Sequence, residues 1–453
     1  MDFYEISSKV PNKQKPDEIT LYPEYFYYGM DLATKGGDFY AYWDGHLWNQ
    51  DFLQMCKIID GNLYEEKKKR LMETPTYTFK TLPISIHSTN QMRNLKLFLK
   101  DRPPTTQSFN TKILFADDVV KREDYVTRVL PYSPKEGSTE HFDELFGVLY
   151  EKEELNKILW FIGALLSGDM VHIQKFLFLY GGKGTGKGTI IKVIKKLLEG
   201  YYSSISLKNL TGASEFATGE VQELPLLIDE DCDISSIVND TNLLKMTSHE
   251  PILVNRKHKD AYLAVFNGLL VAASNERFKV KHIDSGITRR AVVAKPTNKT
   301  TDRERYTFLM NQINYEIPHI AHKAITTYKE MGISYFDNYV DLATIEETDH
   351  IYSFVNDYRD QLGDKVSLSS AAAMYKEFLE DIGFSTDGYK RKIKKALSRY
   401  YDKFHQKTSI DGVQVKNVYS GFKSHLFESE TGSIDSEQIG WIEFNGEKSI
   451  FDL

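Results

Sequence analysis

The chain has 453 residues, of which 41% are hydrophobic and 27% charged. Single hydrophobic cores stop growing near about 250–300 residues, so this length requires more than one domain. The composition is that of a soluble globular protein and excludes a disordered or fibrous one. A net charge of −7 argues at first against a polyanionic partner, but the charge is segregated. Residues 389–407 hold eight Lys or Arg and one acid, and residues 428–453 hold seven acids and one Lys. Phosphate binding depends on a local basic face and not on the whole-chain sum. Cys56 and Cys232 are far apart and sit in no metal-ligand spacing, which predicts neither a disulfide framework nor a zinc site and fits a reducing, cytoplasmic setting. No run approaches the ~18 consecutive apolar residues of a membrane span, and the N-terminus does not read as a signal peptide, so no membrane partner is expected.

Taken in order, residues 1–135 read as an irregular α+β domain. Aromatic runs flank Asp44-Gly45 between Asp38 and Trp48, a strong hairpin signal. Two helices are expected near 55–73 and 88–101, the second broken by Pro103-Pro104. Residues 136–172 read as a helical collar, with Phe142, Leu145, Phe146 and Leu149 and then Ile158, Leu159, Ile162, Leu165 and Leu166 at helical spacing. From 173 to 345 the texture changes. Short apolar runs, Phe176–Tyr180, Leu224–Ile228, Leu269–Ala273 and Ala291–Ala294, alternate with helices, which predicts an α/β fold with a sheet covered on both faces. A helix over about 302–330 closes this unit. Residues 346–427 form a further unit of helices and short strand, and 428–453 an acidic tail.

The strongest motif is Gly181-Gly182-Lys183-Gly184-Thr185-Gly186-Lys187-Gly188-Thr189, placed between the apolar strand ending at Tyr180 and a helix over Ile190–Leu198. This is the setting of a P-loop. Glycines let the backbone curl so that its N–H groups face phosphate oxygens, and the helix N-terminus adds the positive end of its dipole. Gly182, Lys183, Gly184, Thr185, Gly186, Lys187, Gly188 and Thr189 are therefore the candidate ATP-binding residues, with Lys187 reaching the β- and γ-phosphates. The hydroxyl residue that usually follows the lysine is Gly188 here, and the hydroxyl arrives one place later. Thr189 is the chosen Mg²⁺ ligand, either directly or through water.

Leu224–Ile228 ends in Asp229-Glu230, where a strand end would set two carboxylates beside the loop. Asp229 would hold Mg²⁺ through water, and Glu230 would polarise the attacking water. The strand Leu269–Ala273 runs into Ser274-Asn275. Asn275 there is either a turn former or a partner for the γ-phosphate or the attacking water. Arg289-Arg290 precede the strand Ala291–Ala294. They are either a surface pair or an arginine finger reaching a neighbour's ATP.

A P-loop strand, a Leu-Ile-Asp-Glu strand, a basic hairpin, a strand ending in Asn and an Arg-Arg strand, in this order within about 120 residues, resemble the superfamily three helicases of the poxvirus and phage type often fused to a primase. The resemblance covers 140–330. It implies an AAA+-like motor forming a hexameric ring, ATP sites between subunits, and 3′-to-5′ movement on DNA during replication of a phage, plasmid or other mobile element. It makes Arg290 the favoured finger, by its spacing to the following strand, with Arg289 second. It also implies that the hairpin Ile252–Tyr262 lines a central channel, where Arg256, Lys257, His258 and Lys259 track single-stranded DNA. On its own residues that hairpin reads as an ordinary charged turn. No paired-carboxylate strand stands out in 1–135, so a primase, like a polymerase, is expected only as a separate partner.

In the C-terminal unit, Val366–Phe384 and Gly388–Phe404 read as helices and Gly412–Gly421 as a strand pair, the outline of a winged helix. The second helix carries Lys390, Arg391, Lys392, Lys394, Lys395, Arg399 and Lys403, while Ile393, Leu397, Tyr400 and Phe404 recur at the spacing of a buried face. Lys390, Arg391, Lys394 and Lys395 are the candidate contacts to duplex DNA, unless the helix is only a solvated basic face. The acidic tail is either mobile or a cover for that face. Two other functions are compatible with part of this pattern. A nucleoside monophosphate kinase shares the loop, but usually begins with it and carries an arginine-rich lid. An ATP-gated origin-binding protein would mark or melt DNA without processive unwinding.

Overall fold

The computed structural model describes residues 1–36, 39–84, 89–105, 107–210, 218, 224–232, 241–255, 261–275, 286–287, 289–339, 341, 350–381, 386–410 and 412–424. The chain is a mixed α/β protein with a parallel sheet, and it divides into two compact units. One comprises Met1–Glu276 with Val293–Ile333, the other Arg277–Val292 with Ser334–Leu453.

The first unit begins with two small sheets. β1 (Tyr4–Lys9) pairs antiparallel with β2 (Glu18–Tyr25). β3 (Leu32–Gly36), β4 (Phe39–Trp43) and β5 (Trp48–Asn49) form a meander in which Trp43 faces Trp48 across the Asp44-Gly45 turn. Gly45 sits at φ 103°, which the hairpin turn requires. The helix α1 (Phe52–Glu73) is capped by Asp51, whose carboxylate accepts from the Leu53 and Gln54 amides. It is followed by β6 (Thr78–Thr81), parallel to β2, and by α2 (Thr89–Asp101). Phe3, Leu21, Met55, Ile59, Leu95 and Phe98 fill the core between these elements.

Two helices precede the main sheet, α3 (Glu140–Leu149) and α4 (Lys152–Ser167). The predicted apolar positions of both are buried. They pack on a later helix of 29 residues, Arg303–Met331. Gly163 permits the closest approach, because a Cβ there would lie 2.2 Å from the Ala324 carbonyl oxygen. Glu316 of the long helix is buried and caps α3, accepting from the amides of His141 (3.0 Å) and Phe142 (2.9 Å).

The five-stranded sheet contains β7 (Phe176–Tyr180), β8 (Tyr202–Ser204), β9 (Leu226–Asp229), β12 (Leu269–Ser274) and β13 (Ala291–Ala294), in the order β13-β7-β12-β9-β8. β7, β12, β9 and β8 run parallel. β7, β9, β12 and β13 are buried almost throughout, which is why their sequences are largely apolar runs, whereas the edge strand β8 is Tyr-Ser-Ser and only partly buried. Between them lie α5 (Lys187–Leu197), the short helices α6 (Leu207–Leu210) and α7 (Thr241–Thr247), and the hairpin β10 (Pro251–Val254) with β11 (Tyr262–Val265). The helix Arg303–Met331 is α8.

The second unit carries α9 (His350–Asp357), α10 (Arg359–Leu362), β14 (Lys365–Ser367), α11 (Leu368–Asp381), α12 (Tyr389–Tyr400), β15 (Tyr401–Ile410) and β16 (Val413–Phe422). Its sheet has the order β14-β16-β15, all antiparallel, and Phe354, Tyr375, Ile393, Leu397 and Tyr419 lie in its core. Val366 and Ser367 belong to β14, so the first expected helix begins at Leu368; the second stops at Tyr400; and Gly412–Gly421, expected to hold a strand pair, supplies only β16, whose partner β15 begins at Tyr401. Ile393, Leu397 and Tyr400 are buried as expected, but Phe404 is 49% exposed on β15, opposite Tyr419. Its place in the helical spacing is a coincidence of register.

Candidate nucleotide site and basic surface

Parallel strands bring their C-terminal ends to one edge, and loops at that edge share a crevice. Tyr180 ends β7 and leads into the glycine loop; Ser274, its partner in register, ends β12 and leads into Asn275. β9 lies on the other side of β12 and ends in Asp229. Inserting β12 between β7 and β9 therefore puts Asn275 between the glycine loop and the acidic strand end.

The loop turns through Gly184 (φ 76°) and Gly186 (φ 107°), conformations that residues with a Cβ rarely adopt. Lys187 opens α5 and is only 9% exposed. Its ammonium donates to the carbonyl oxygens of Gly181 and Gly182 (2.7 Å) and to Asn275 Oδ1 (3.0 Å). Burial pushes the Lys187 pKa down, and the nearby Asp231 carboxylate acts against that shift. Among the described residues, no backbone carbonyl accepts from the amides of Gly182, Gly184, Gly186 or Lys187. These N–H groups and a cation held only by neutral oxygens fit an oxyanion, which is the stronger partner for both. Lys183 is exposed on the loop, and Thr185 is buried, with its hydroxyl bonded to the Gly182 carbonyl at 2.8 Å.

Asp229 is buried, and its Oδ2 accepts from the Leu207 amide at 2.7 Å. Burial raises its carboxyl pKa; the Leu207 and Asp231 amides and the Cys232 thiol lower it, and the Asp231 charge raises it. A divalent cation at this carboxylate would offset the desolvation, so the residue fits a metal ligand. The Thr189 hydroxyl lies 3.4 Å from Tyr306 Oη of α8. A Cβ at Gly188 would meet nothing within 4 Å, so the loop has room at the position where the sequence lacks a hydroxyl. Glu230 is 49% exposed and ion-paired with Lys195 of α5.

Arg289 and Arg290 differ sharply. Arg290 is only 8% exposed, and Arg289 is exposed. The base of the expected DNA hairpin is present as β10 paired with β11, with Leu253 opposite Leu263. Its tip, with Arg256, Lys257, His258 and Lys259, lies outside the described residues.

In the second unit, Lys390, Arg391, Lys392, Lys394, Lys395 and Arg399 are exposed along α12. Lys403 lies on β15 instead, with Lys407 four residues further along, directly opposite Lys416 of β16. Like charges facing each other across a strand pair destabilise it. The sequence reading missed Lys407 and Lys416, whose pairing becomes visible only once the strand is seen to begin at Tyr401. It also missed Lys195, Tyr306 and the Cys232 thiol, because none sits in a motif.

Residues 179–290 match the sequence model of a family of unknown function, DUF5906. No curated protein matches the chain. Among solved structures, two apo structures of the NrS-1 C-terminal region are similar, with TM-scores of 0.44 and 0.45. Each is 15% identical and covers 64% of this chain and 77% of the other. Among the described residues, no helix is long and apolar enough to cross a membrane.

Proposed function

We propose that the chain is an ATP hydrolase that acts on DNA, a ring-forming helicase of mobile-element replication. The observation that carries the hydrolase reading is the contact of Lys187 with Asn275, which joins the glycine loop to a strand tip inserted beside Asp229. A phosphate bound by the loop amides would take Lys187 from its carbonyl partners and leave Asn275 at the γ position. Asp229, with Thr189, would hold Mg²⁺, which neutralises charge on the β- and γ-phosphates when bound. Glu230 is the carboxylate that polarises water, and Asn275 orients it. If the ATP sites lie between subunits, the arginine that reaches across is Arg289 rather than Arg290, since a finger has to leave its own chain's surface.

The DNA reading rests on the motif order and on the basic surface of α12 and the β15–β16 hairpin, in a unit whose order of helices and strands suits a winged helix. Exposed lysines in one patch bind phosphates additively and without sequence preference. Subunit number, polarity and a primase or polymerase partner come from the family resemblance. Turnover of ATP by the purified chain, with and without forked DNA, tests the proposal. Lack of hydrolysis under both conditions overturns it. Hydrolysis stimulated by DNA without strand separation would replace the helicase with an ATP-gated DNA-binding protein.

A further inference from the structure

Glu230 does not sit free beside the phosphate-binding amides. Its carboxylate is paired with the ammonium of Lys195, which also lies 5.3 Å from the centroid of the Tyr202 ring. Lys195 stands eight residues after Lys187 on α5, so their Cα atoms are separated by about 12 Å along the helix axis. A lysine side chain spans only part of that distance. The pair therefore draws Glu230 down the helix, away from the contact between Lys187 and Asn275 that marks the γ-phosphate position. Asp229 is held separately by the Leu207 amide, so the two neighbouring carboxylates are pinned to different elements.

We propose that Lys195 is a positioning residue that holds Glu230 out of the phosphate site, so that hydrolysis requires the pair to open. This rests on the hydrolase reading above and adds a restraint to the same site. Opening frees the carboxylate to meet a water in line with the γ-phosphate, while Lys195 remains on the Tyr202 ring. Because both partners touch solvent, the restraint is weak and sensitive to salt.

The test is single-turnover hydrolysis of MgATP by the full chain without DNA, with nucleotide affinity measured in parallel by a fluorescent ATP analogue. Lys195→Met should hydrolyse about two- to fivefold faster than wild type at unchanged affinity, and Lys195→Arg should return the wild-type rate. Raising ionic strength from about 0.05 M to about 0.3 M should speed the wild type more than Lys195→Met. An unchanged or slower Lys195→Met overturns the proposal and makes the pair a structural tie or a support for the base. If Lys195→Met does not fold, Lys195→Arg and the salt series decide: a wild-type rate that does not rise with salt overturns the restraint. Glu230→Gln separates the two levels. If it hydrolyses normally, the role of Glu230 itself is wrong; if it is inactive while Lys195→Met is not accelerated, only the restraint fails.

Discussion

The glycine loop and α12 both present lysines, and they do so in opposite ways. Lys187 is one buried cation with three oxygen partners in place. Lys390, Lys394 and Lys395 are exposed on a helix whose other face is buried. A buried, preorganised cation acts through exact placement, so a single substitution should remove the activity. Exposed cations act through number, so each loss should be partial and dependent on salt.

The largest expected effect breaks the first arrangement. Lys187→Ala should cut ATP hydrolysis by about a thousandfold with the chain still folded, measured as phosphate release beside far-ultraviolet circular dichroism. A folded variant that still turns over ATP would remove the loop from the chemistry. Glu230→Gln should follow, slowing hydrolysis by about a hundredfold while nucleotide affinity is kept. Normal turnover in that variant, with Asp229→Asn inactive, would reverse the roles of the two carboxylates.

The second arrangement is tested by graded loss. Replacing Lys390, Lys394 and Lys395 by Ala should leave DNA-free hydrolysis unchanged and weaken duplex binding. The log–log salt slope should fall by about one unit for each phosphate that the variant no longer neutralises. A salt slope equal to that of wild type would make α12 a solvated face or a protein interface. The smallest effect sharpens the contrast within the hairpin. Lys407→Glu turns a repulsive pair with Lys416 into an attractive one, and should stabilise the second unit by roughly 0.2–1 kcal/mol while weakening duplex binding. Thermal melting and a binding titration should therefore move in opposite senses. A fall in both stability and affinity would mean that the hairpin lysines serve packing and not DNA.

What could be read in the sequence follows the same division. Phe176–Tyr180 and Ala291–Ala294 were legible to the residue because a strand buried on both faces is an uninterrupted apolar run between turn signals. The turn between β7 and α5 was legible because it falls between an apolar strand and a helix and turns through Gly184 and Gly186, whose positive φ favours glycine. The ion pair of Lys195 with Glu230 was not, since it joins residues 35 apart in sequence that no periodicity links. Nor was the contrast between Arg289 and Arg290, because two identical neighbours differ only in the direction each faces. The N-terminal sheet escaped for a related reason: β6 pairs with β2 across the whole of α1, and only a few positions of β1 and β2 are buried. The boundary at Tyr400-Tyr401 was missed because aromatic residues suit a helix core and a strand equally, and only the cross-strand packing of Phe404 on Tyr419 distinguishes them.

The insertion of β12 between β7 and β9 also bears on how the molecule is made. During synthesis β7, α5, β8 and β9 emerge before β12 does, and neither β7 nor β9 can meet its central neighbour until residues 269–274 have left the ribosome. Until then each leaves an unpaired apolar edge, a state that invites aggregation. The pairings that close the sheet join residues some 40 to 100 positions apart, so closure is a slow, late step. Asn275 follows β12 directly, and so reaches Lys187 only when the sheet is complete. A nascent chain lacking that strand has the whole glycine loop but not the Asn275 partner of Lys187, which ties the finished geometry of the loop to completion of the sheet.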